Sequence, residues 1–182
     1  MDAETLVATV QAAVPDAQVE RAPSLDLQTT IYASRDHVAP LARALRDEPA
    51  LAFNFLSELT AVDFWPKEPR YELVYVLVSL GHKLRLRVKV RLAADDPHVA
   101  TVSDVWPAAN WLEREVWDLF GIAFDGHPDP RRLLMPEDWQ GFPLRRDHPV
   151  QIRMTPGASE ALQVTEEEFR ANMMKDRLTR GR

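Results

Sequence analysis

The chain has 182 residues, 46% of them hydrophobic and 27% charged, which is ordinary for a folded domain with an appendage and excludes wholesale disorder. A formal charge of -6 argues against nucleic-acid binding, which depends on a basic surface. Without cysteine, the chain supplies no disulfide and no thiolate ligand, so any iron-sulfur cluster must belong to another chain. Its acidic start and the lack of a long apolar run predict a cytoplasmic chain that is soluble by itself.

Two helices are predicted in the first third of the chain. Apolar residues at helical spacing begin at Leu6 and stop near Pro15, which ends the first helix. Ser34 is suited to cap the second helix, whose apolar stripe runs up to Pro49. The members of this stripe are Val38, Leu41, Ala42 and Leu45.

Short strands are predicted on both sides of the second helix. Residues 17–23 and 27–34 favour two of them, and residues 93–107 offer one more. The segment 53–64 is ambiguous between helix and strand, and we favour a strand in its second half.

A hairpin is the strongest local prediction. Residues 71–80 and 83–92 are rich in strand formers, and Gly81 and His82 between them suit a two-residue loop with glycine first. Cations alternate with apolar residues in the second strand and therefore share one face. We interpret them as a solvated sheet face rather than an anion groove: Lys83, Arg85, Arg87, Lys89 and Arg91.

A third helix is predicted from Asn110, which forms a capping box with Glu113, to a left-handed terminator at Gly121. Its expected buried stripe is Leu112, Val116, Leu119 and Phe120. Glu113 and Arg114 are expected to be partly exposed.

Residues 125–149, called the strap from here on, show no sustained period of two or 3.6. Loops of this length are usually functional or disordered, and the strap is too apolar for disorder. Its arginines suit carboxylates on a partner, and its aromatic residues are typical interface anchors, so the strap is predicted to be a docking surface. In the tail, Thr165 and Glu168 match a capping box before a short helix.

Catalytic and metal motifs are weak by comparison. His127 and His148 lie near carboxylates, and a metal-dependent hydrolase that uses them with Asp129 stays open as an alternative. The chain lacks the fixed ligand spacing of zinc sites, the nucleophile elbow and the phosphate-binding loop. We therefore predict no catalytic residue, no metal ligand and no cofactor in this chain.

The segment from Asn110 to Pro149 closely resembles the signature of the C subunit, which is the 30 kDa-type subunit, of NADH:quinone oxidoreductase, respiratory complex I. Residues 53–64 are also similar to that family, and the resemblance covers about residues 35–150. Pro130 and His148 depart from it, since the family usually has an aliphatic residue and often a tyrosine there. Related hydrogenase and quinone-linked dehydrogenase complexes contain equivalent subunits and remain an alternative.

The resemblance implies an α/β (α+β) fold of two layers, with a mixed sheet and helices on one side, in residues 1–124. Residues 125–182 would be an extended segment and tail that wrap a partner. The chain would be a non-catalytic subunit in the hydrophilic arm on the cytoplasmic side of the bacterial membrane. It would contact the hydrogenase-like D subunit and the iron-sulfur B subunit, which together with other subunits supply the flavin, clusters and quinone site.

Two groups of residues carry these expectations. The predicted docking residues are His127, Arg131, Arg132, Met135, Trp139, Phe142, Arg145, Arg146 and His148. The signature residues of the third helix are Glu113, Arg114, Glu115, Asp118, Phe120 and Gly121.

Overall fold

A computed structural model of the chain describes residues 2–26 and 28–149. The described residues as far as His148 belong to one compact unit. Within the described part the helices are α1 (Ala3–Ala13), α2 (Val38–Asp47) and α3 (Ala109–Phe120). The strands there are β1 (Glu20–Arg21), β2 (Thr30–Tyr32), β3 (Phe55–Asp63), β4 (Tyr71–Ser79), β5 (Leu84–Leu92), β6 (His98–Ala100) and β7 (Ala123–Asp125).

The main sheet has five strands in the order β1-β2-β5-β4-β3. Only the β2–β5 pair in it is parallel, so the sheet is mixed. The short strands β6 and β7 form a separate parallel pair beside it. β7 was not predicted, because three residues are too few to show alternation.

One face of the main sheet forms the core. Cross-strand partners such as Leu59 and Tyr75, or Leu73 and Val90, are all buried on this face. Their neighbours in the core come from α1, α2 and α3 and include Leu6, Val10, Val38, Leu41, Leu45, Val116 and Phe120. The predicted two-layer α/β fold with a mixed sheet is confirmed, and helices supply the second layer.

Both strands of the hairpin form as predicted, but the two-residue loop is wrong. Ser79 pairs with Leu84, so four residues connect the strands. The left-handed backbone falls on Lys83, with φ of 55°, rather than on Gly81. β3 is also longer than predicted, because a register shift between Leu56 and Glu58 interrupts the alternation in its first half.

The predicted cap of α2 is wrong as well. A 3₁₀ turn over Arg35–His37 lies between Ser34 and the helix, and His37 takes the cap position without a side-chain hydrogen bond. Ser34 accepts from the His37 N–H with its backbone carbonyl instead. The opening helix ends as predicted, and Asp2 caps its start by accepting from Thr5 N–H.

α3 begins at Ala109 without the predicted capping box. The carbonyls of Trp106 and Pro107 accept the N–H groups of Ala109 and Asn110, so the first turn needs no side-chain cap. Gly121 ends the helix with φ of 73°, as predicted. Of the predicted core stripe, Val116 and Phe120 are buried, whereas the other two, Leu112 and Leu119, are only partly buried.

The cations of β5 alternate with buried residues, and several are neutralised locally. Arg87 binds Asp26, Lys89 binds Glu72, and the Arg91 guanidinium stacks on Tyr32 at 3.7 Å from the ring centroid. These contacts favour the solvated-face interpretation over an anion groove.

No helix in residues 2–26 and 28–149 has the length and apolar character that crossing a membrane requires. The predicted capping box at Thr165 and Glu168 and the short helix after it lie outside the described residues.

Candidate functional site

The strap follows β7 and runs along α3 towards the end of the main sheet, held by a series of polar contacts. The first is made by His127, whose ring is buried. Its Nδ1 accepts from the Asp129 N–H at 3.0 Å, so the proton lies on Nε2, which donates to the Asn110 carbonyl at 3.0 Å. The beginning of the strap is thereby tied to the first turn of α3.

Asp118 is the central anchor of the strap. This fully buried carboxylate accepts from three consecutive backbone N–H groups, those of Leu133, Leu134 and Met135, at 2.7 to 3.0 Å. Its other oxygen binds Arg132 Nη1 at 2.6 Å. Burial by itself raises the pKa of Asp118, but these hydrogen bonds lower it below its ordinary value. The middle of the strap is therefore held by an ionised, fully satisfied carboxylate.

Arg114 holds the same stretch from the neighbouring turn of α3. Its guanidinium donates to the carbonyls of Arg131 and Arg132 at 3.1 Å each, and it lies 3.3 Å from the Asp129 carboxylate. The predicted partial exposure of Arg114 is wrong, because its side chain is only 9% exposed beneath the strap.

The end of α3 forms a third contact. Arg145 donates to the carbonyl of Phe120 at 2.5 Å, and Leu144 N–H donates to the carbonyl of Leu119 at 3.0 Å. These carbonyls have no partner within the helix, so the strap satisfies them. Glycine is required at position 121 for two reasons. Its backbone is left-handed, and any Cβ would overlap the Phe142 ring and the Arg145 guanidinium.

Asp63, Arg70 and Asp147 form a clasp at the far end of the strap. Arg70 binds both oxygens of Asp63 at 2.9 and 3.0 Å and both oxygens of Asp147 at 2.6 and 3.1 Å. Asp63 also accepts from the Arg146 N–H at 2.9 Å. Burial tends to raise the pKa of Asp63, but the Arg70 and backbone hydrogen bonds lower it to about 2.

This clasp was not predicted from the sequence. Arg70 and Asp147 are 77 positions apart, and the sequence around Asp63 at the end of β3 carries no motif that indicates an ion pair. The alternation of β3 does offer one signal, because it places the charged Asp63 on the buried face, where a charge needs a partner.

Glu113 is buried rather than partly exposed, which corrects the prediction. It accepts from Thr101 Oγ1 at 2.5 Å and from the Val102 N–H at 2.8 Å, and so supports the loop before α3. Burial is the main cause that raises the pKa of Glu113 to about 7. A cavity of about 100 Å³ adjoins it and is lined also by Trp117 and His127.

The predicted docking residues fall into groups. Arg131, Trp139 and Arg146 are exposed, as are Leu134 and Leu144 of the same segment. The inward-facing residues are His127, Arg132 and Arg145, while Met135, Phe142 and His148 are half-buried. Among the signature residues, Glu113, Arg114, Asp118 and Phe120 are buried and Glu115 is half-buried. That the strap docks on a partner stays a prediction, as does the division of the chain after residue 124.

The metal alternative has little geometric basis in the described residues. No group of three or more His, Asp or Glu side chains is placed there to hold an ion. Both ring nitrogens of His127 are engaged by backbone groups, and the His148 ring lies by Trp139, with 6.4 Å between ring centroids.

Comparison with known proteins identifies the family. Residues 31–153 match the family model of the respiratory-chain NADH dehydrogenase 30 kDa subunit. The C subunit of NADH-quinone oxidoreductase from Roseiflexus sp. (strain RS-1) is 43% identical over 82% of this chain and 86% of its own length. The C 2 subunit of NADH-quinone oxidoreductase from Rhizobium meliloti (strain 1021) is 44% identical over 75% of this chain and 76% of its own length.

Two solved structures share the fold. A trypsin-resistant fragment (1-134) of Nqo5 superposes with a TM-score of 0.57 and 34% identity, covering 71% of this chain and 99% of the fragment. A chain of the membrane-bound sulfane sulfur reductase, an archaeal respiratory membrane complex, superposes with a TM-score of 0.62 and 28% identity, covering 81% of this chain and 85% of its own length. This chain therefore belongs to the family of the 30 kDa subunit of respiratory-chain NADH dehydrogenase, which includes the C subunits of NADH-quinone oxidoreductases.

Proposed function

We propose that this chain is a non-catalytic structural subunit of a proton-translocating NADH:quinone oxidoreductase and that its strap docks on the hydrogenase-like D subunit, close to the iron-sulfur B subunit. In this role the chain holds no flavin, cluster or quinone. It supports electron transfer from NADH to quinone by keeping the subunits that carry those groups in place. It lies at the cytoplasmic side of the membrane and is attached through the complex.

The observation that carries this proposal is that the strap exposes large apolar side chains although its backbone is anchored to the domain. Leu134, Trp139 and Leu144 are 54%, 38% and 51% exposed, although they lie on a segment fixed to the domain by buried charges. Large apolar side chains that are exposed on an anchored segment are typical of interfaces. The strap therefore has the chemistry of a surface that is completed by another protein.

One alternative complex has an observation in its favour. The similarity to a chain of the sulfane sulfur reductase complex indicates that the fold also serves respiratory membrane complexes of another kind. The same strap would then dock on the corresponding subunit of such a complex. Purification of the native complex and identification of its companion chains distinguishes the two, because only an NADH:quinone oxidoreductase contains the NADH-oxidising flavin subunit.

The docking proposal is tested with two matched leucines in cells that express the complete complex. Leu144→Ala on the strap and Leu80→Ala on the hairpin turn remove the same side chain from positions that are 51% and 63% exposed. We expect Leu144→Ala and Trp139→Ala to lower the amount of this chain retained in the purified complex, with affinity falling by about tenfold or more for the tryptophan. Leu80→Ala should leave assembly unchanged. Equal retention of all three variants would contradict docking through the strap.

A further inference from the structure

The helices in residues 2–26 and 28–149 pack on one face of the main sheet, and the opposite face of β3, β4 and β5 is called the outer face from here on. Paired residues of neighbouring strands share a face, so the three strands present four rows of side chains there. All members of these rows except the buried Glu72 are exposed or half-buried. The rows are Phe55, Val78 and Arg85; Glu58, Val76 and Arg87; Thr60, Val74 and Lys89; and Val62, Glu72 and Arg91.

β4 has the sequence of a strand that is buried on both faces. Three of its outward residues are Val74, Val76 and Val78, whereas a strand with one solvated face usually alternates apolar with polar residues. Phe55 and Val62 of β3 share the outer face and are 48% and 38% exposed. The centre of the outer face therefore has the composition of a surface that another element covers.

The cations of β5 give the outer face a charged edge, which is solvated in the free chain. The two cations in the middle of the row are neutralised by ion pairs within the chain. Arg85 and Arg91 at its ends have no carboxylate at ion-pairing distance among the residues that the structure describes, and Arg91 stacks on Tyr32. Glu58 is exposed on the other side of the valines, on β3. A complementary partner places carboxylates over β5 rather than over β3.

The size of the outer face fits one α-helix. Two steps between neighbouring strands make it about 10 Å wide, and the distance from Val74 to Val78 along the strand is about 13 Å. An α-helix with its side chains is about 10 to 12 Å across and rises about 5.4 Å per turn. About two to three helical turns would therefore cover the three valines of β4.

Beyond the docking of the strap, we infer that the outer face binds an amphipathic α-helix of another subunit of the same complex. The apolar side of this helix lies on the valines of β4, and its acidic edge lies over Arg85 and Arg91. The chain's own tail fits this pattern less well, because residues 150–182 contain six cations against five carboxylates. Leu80 lies outside the contact, since the β4–β5 ladder ends with the pair of Ser79 and Leu84.

Photo-cross-linking in cells that express the complete complex identifies the helix. The photoreactive amino acid p-benzoylphenylalanine replaces Thr60, which is exposed on the outer face. As a control it replaces Arg21, which pairs with the buried Ile31 and therefore lies on the helix side of the same sheet. Mass spectrometry of the purified, irradiated complex should show Thr60 joined to one acidic, amphipathic segment of another subunit, and Arg21 not joined to it. The same product from both positions, a product with residues 150–182, with a second copy of this chain or with lipid, or no product from Thr60 would overturn the inference.

Two substitutions in one row test the apolar and the charged part of the contact. Phe55 and Arg85 are both exposed, so their replacement leaves the fold intact. We expect Phe55→Ala and Arg85→Glu each to lower the amount of this chain retained in the purified complex, with affinity falling by about tenfold or more. Arg21→Glu makes the same change of charge on the helix side and should leave retention unchanged. Replacing a carboxylate of the cross-linked segment by lysine should restore retention of Arg85→Glu.

The outcomes separate this inference from docking through the strap. If Phe55→Ala and Arg85→Glu were retained like the wild type while Trp139→Ala was lost, only the outer-face inference would fail. If the outer-face variants were lost while Trp139→Ala and Leu144→Ala were retained, the docking function of the strap would fail and the outer-face inference would stand. Equal losses for Arg85→Glu and Arg21→Glu would contradict the assignment of the charged edge.

Discussion

Replacing Arg70 by methionine should destabilise the free chain, because it leaves Asp63 buried without its opposite charge. The side chains of Arg70 and Asp63 are only 9% and 2% exposed, and two hydrogen bonds join them. Methionine keeps most of the apolar stem of arginine, so the substitution removes the charge more than the packing. Loss of one member of a buried ion pair costs about 3 to 5 kcal/mol. Asp63 keeps the N–H groups of Trp65 and Arg146, which places the expected loss near the lower end, at about 3 kcal/mol.

The pH dependence gives an independent measure of the same interaction. The pKa of Asp63 is lowered from 3.8 to about 2 in the folded chain, which corresponds to about 2 kcal/mol of stabilisation. A lowered carboxyl pKa stabilises the fold above pH 3.8, and this contribution is lost as the pH falls through about 2. The stability difference between wild type and Arg70→Met should therefore shrink as the pH falls from 4 towards 2.

Urea unfolding of the full-length chain, followed by tryptophan fluorescence at several pH values, measures both effects. Arg85→Met is the matched control, since Arg85 is exposed on β5 of the same sheet and should lose less than about 0.5 kcal/mol. Adding Asp63→Asn to Arg70→Met should recover part of the loss, because the buried charge is then gone. A loss below about 1 kcal/mol at pH 7, or a difference that stays constant down to pH 2, would refute the reasoning.

Three further predictions concern α3. Gly121→Ala should lower the free energy of unfolding by about 1 to 2 kcal/mol, because the backbone is left-handed there, and it should also loosen the strap that packs against this residue. Gly81→Ala, with open space around the new Cβ, should be close to neutral, and thermal unfolding of the two variants compares them. The pKa of Glu113 is raised from 4.5 to about 7, so between these pH values the folded chain holds a proton that the unfolded chain has lost. The free energy of unfolding should therefore fall as the pH rises through this window, by at most about 1.4 kcal/mol per pH unit. Glu113→Gln should abolish that slope in denaturant titrations, and a slope equal to that of the wild type would contradict the assignment. Phe120→Ala should cost about 3 to 5 kcal/mol, against less than about 1 for the 48% exposed Phe55→Ala, and similar losses for both would show that the buried face of α3 is assigned wrongly.

The periodic elements could be predicted from the sequence because their signals are local. Alternation in β4 and β5 fixes which side chains face the core, and the apolar stripe of α2 does the same for a helix. Gly121 could be assigned as a helix terminator because left-handed backbone strongly favours glycine. The resemblance to the 30 kDa subunit family was likewise carried by a contiguous stretch of residues, and the family comparison confirms it.

The roles of the polar residues were harder to predict, because the same local sequence pattern fits a helix cap and a contact with another segment. Glu113 stands where a capping box would have it, but its carboxylate binds Thr101 and Val102, residues of the loop before the helix. Ser34 is a good capping residue that a 3₁₀ turn separates from its helix. Nothing within a few positions of either residue reveals the difference, because each outcome depends on how neighbouring segments pack.

The sequence by itself determined that this chain has a strap of arginines, prolines and large apolar residues after its last long helix. Only the tertiary structure decided which of those side chains hold the strap and which remain exposed. Arg145 and Arg146 are adjacent and chemically identical, yet one caps the end of α3 and the other extends from a backbone fixed by Asp63. Their difference arises from tertiary contacts. The carbonyls of Phe120 and Gly121, 25 and 24 positions away, accept from the Arg145 side chain, whereas Asp63, 83 positions away, binds only the backbone N–H of Arg146.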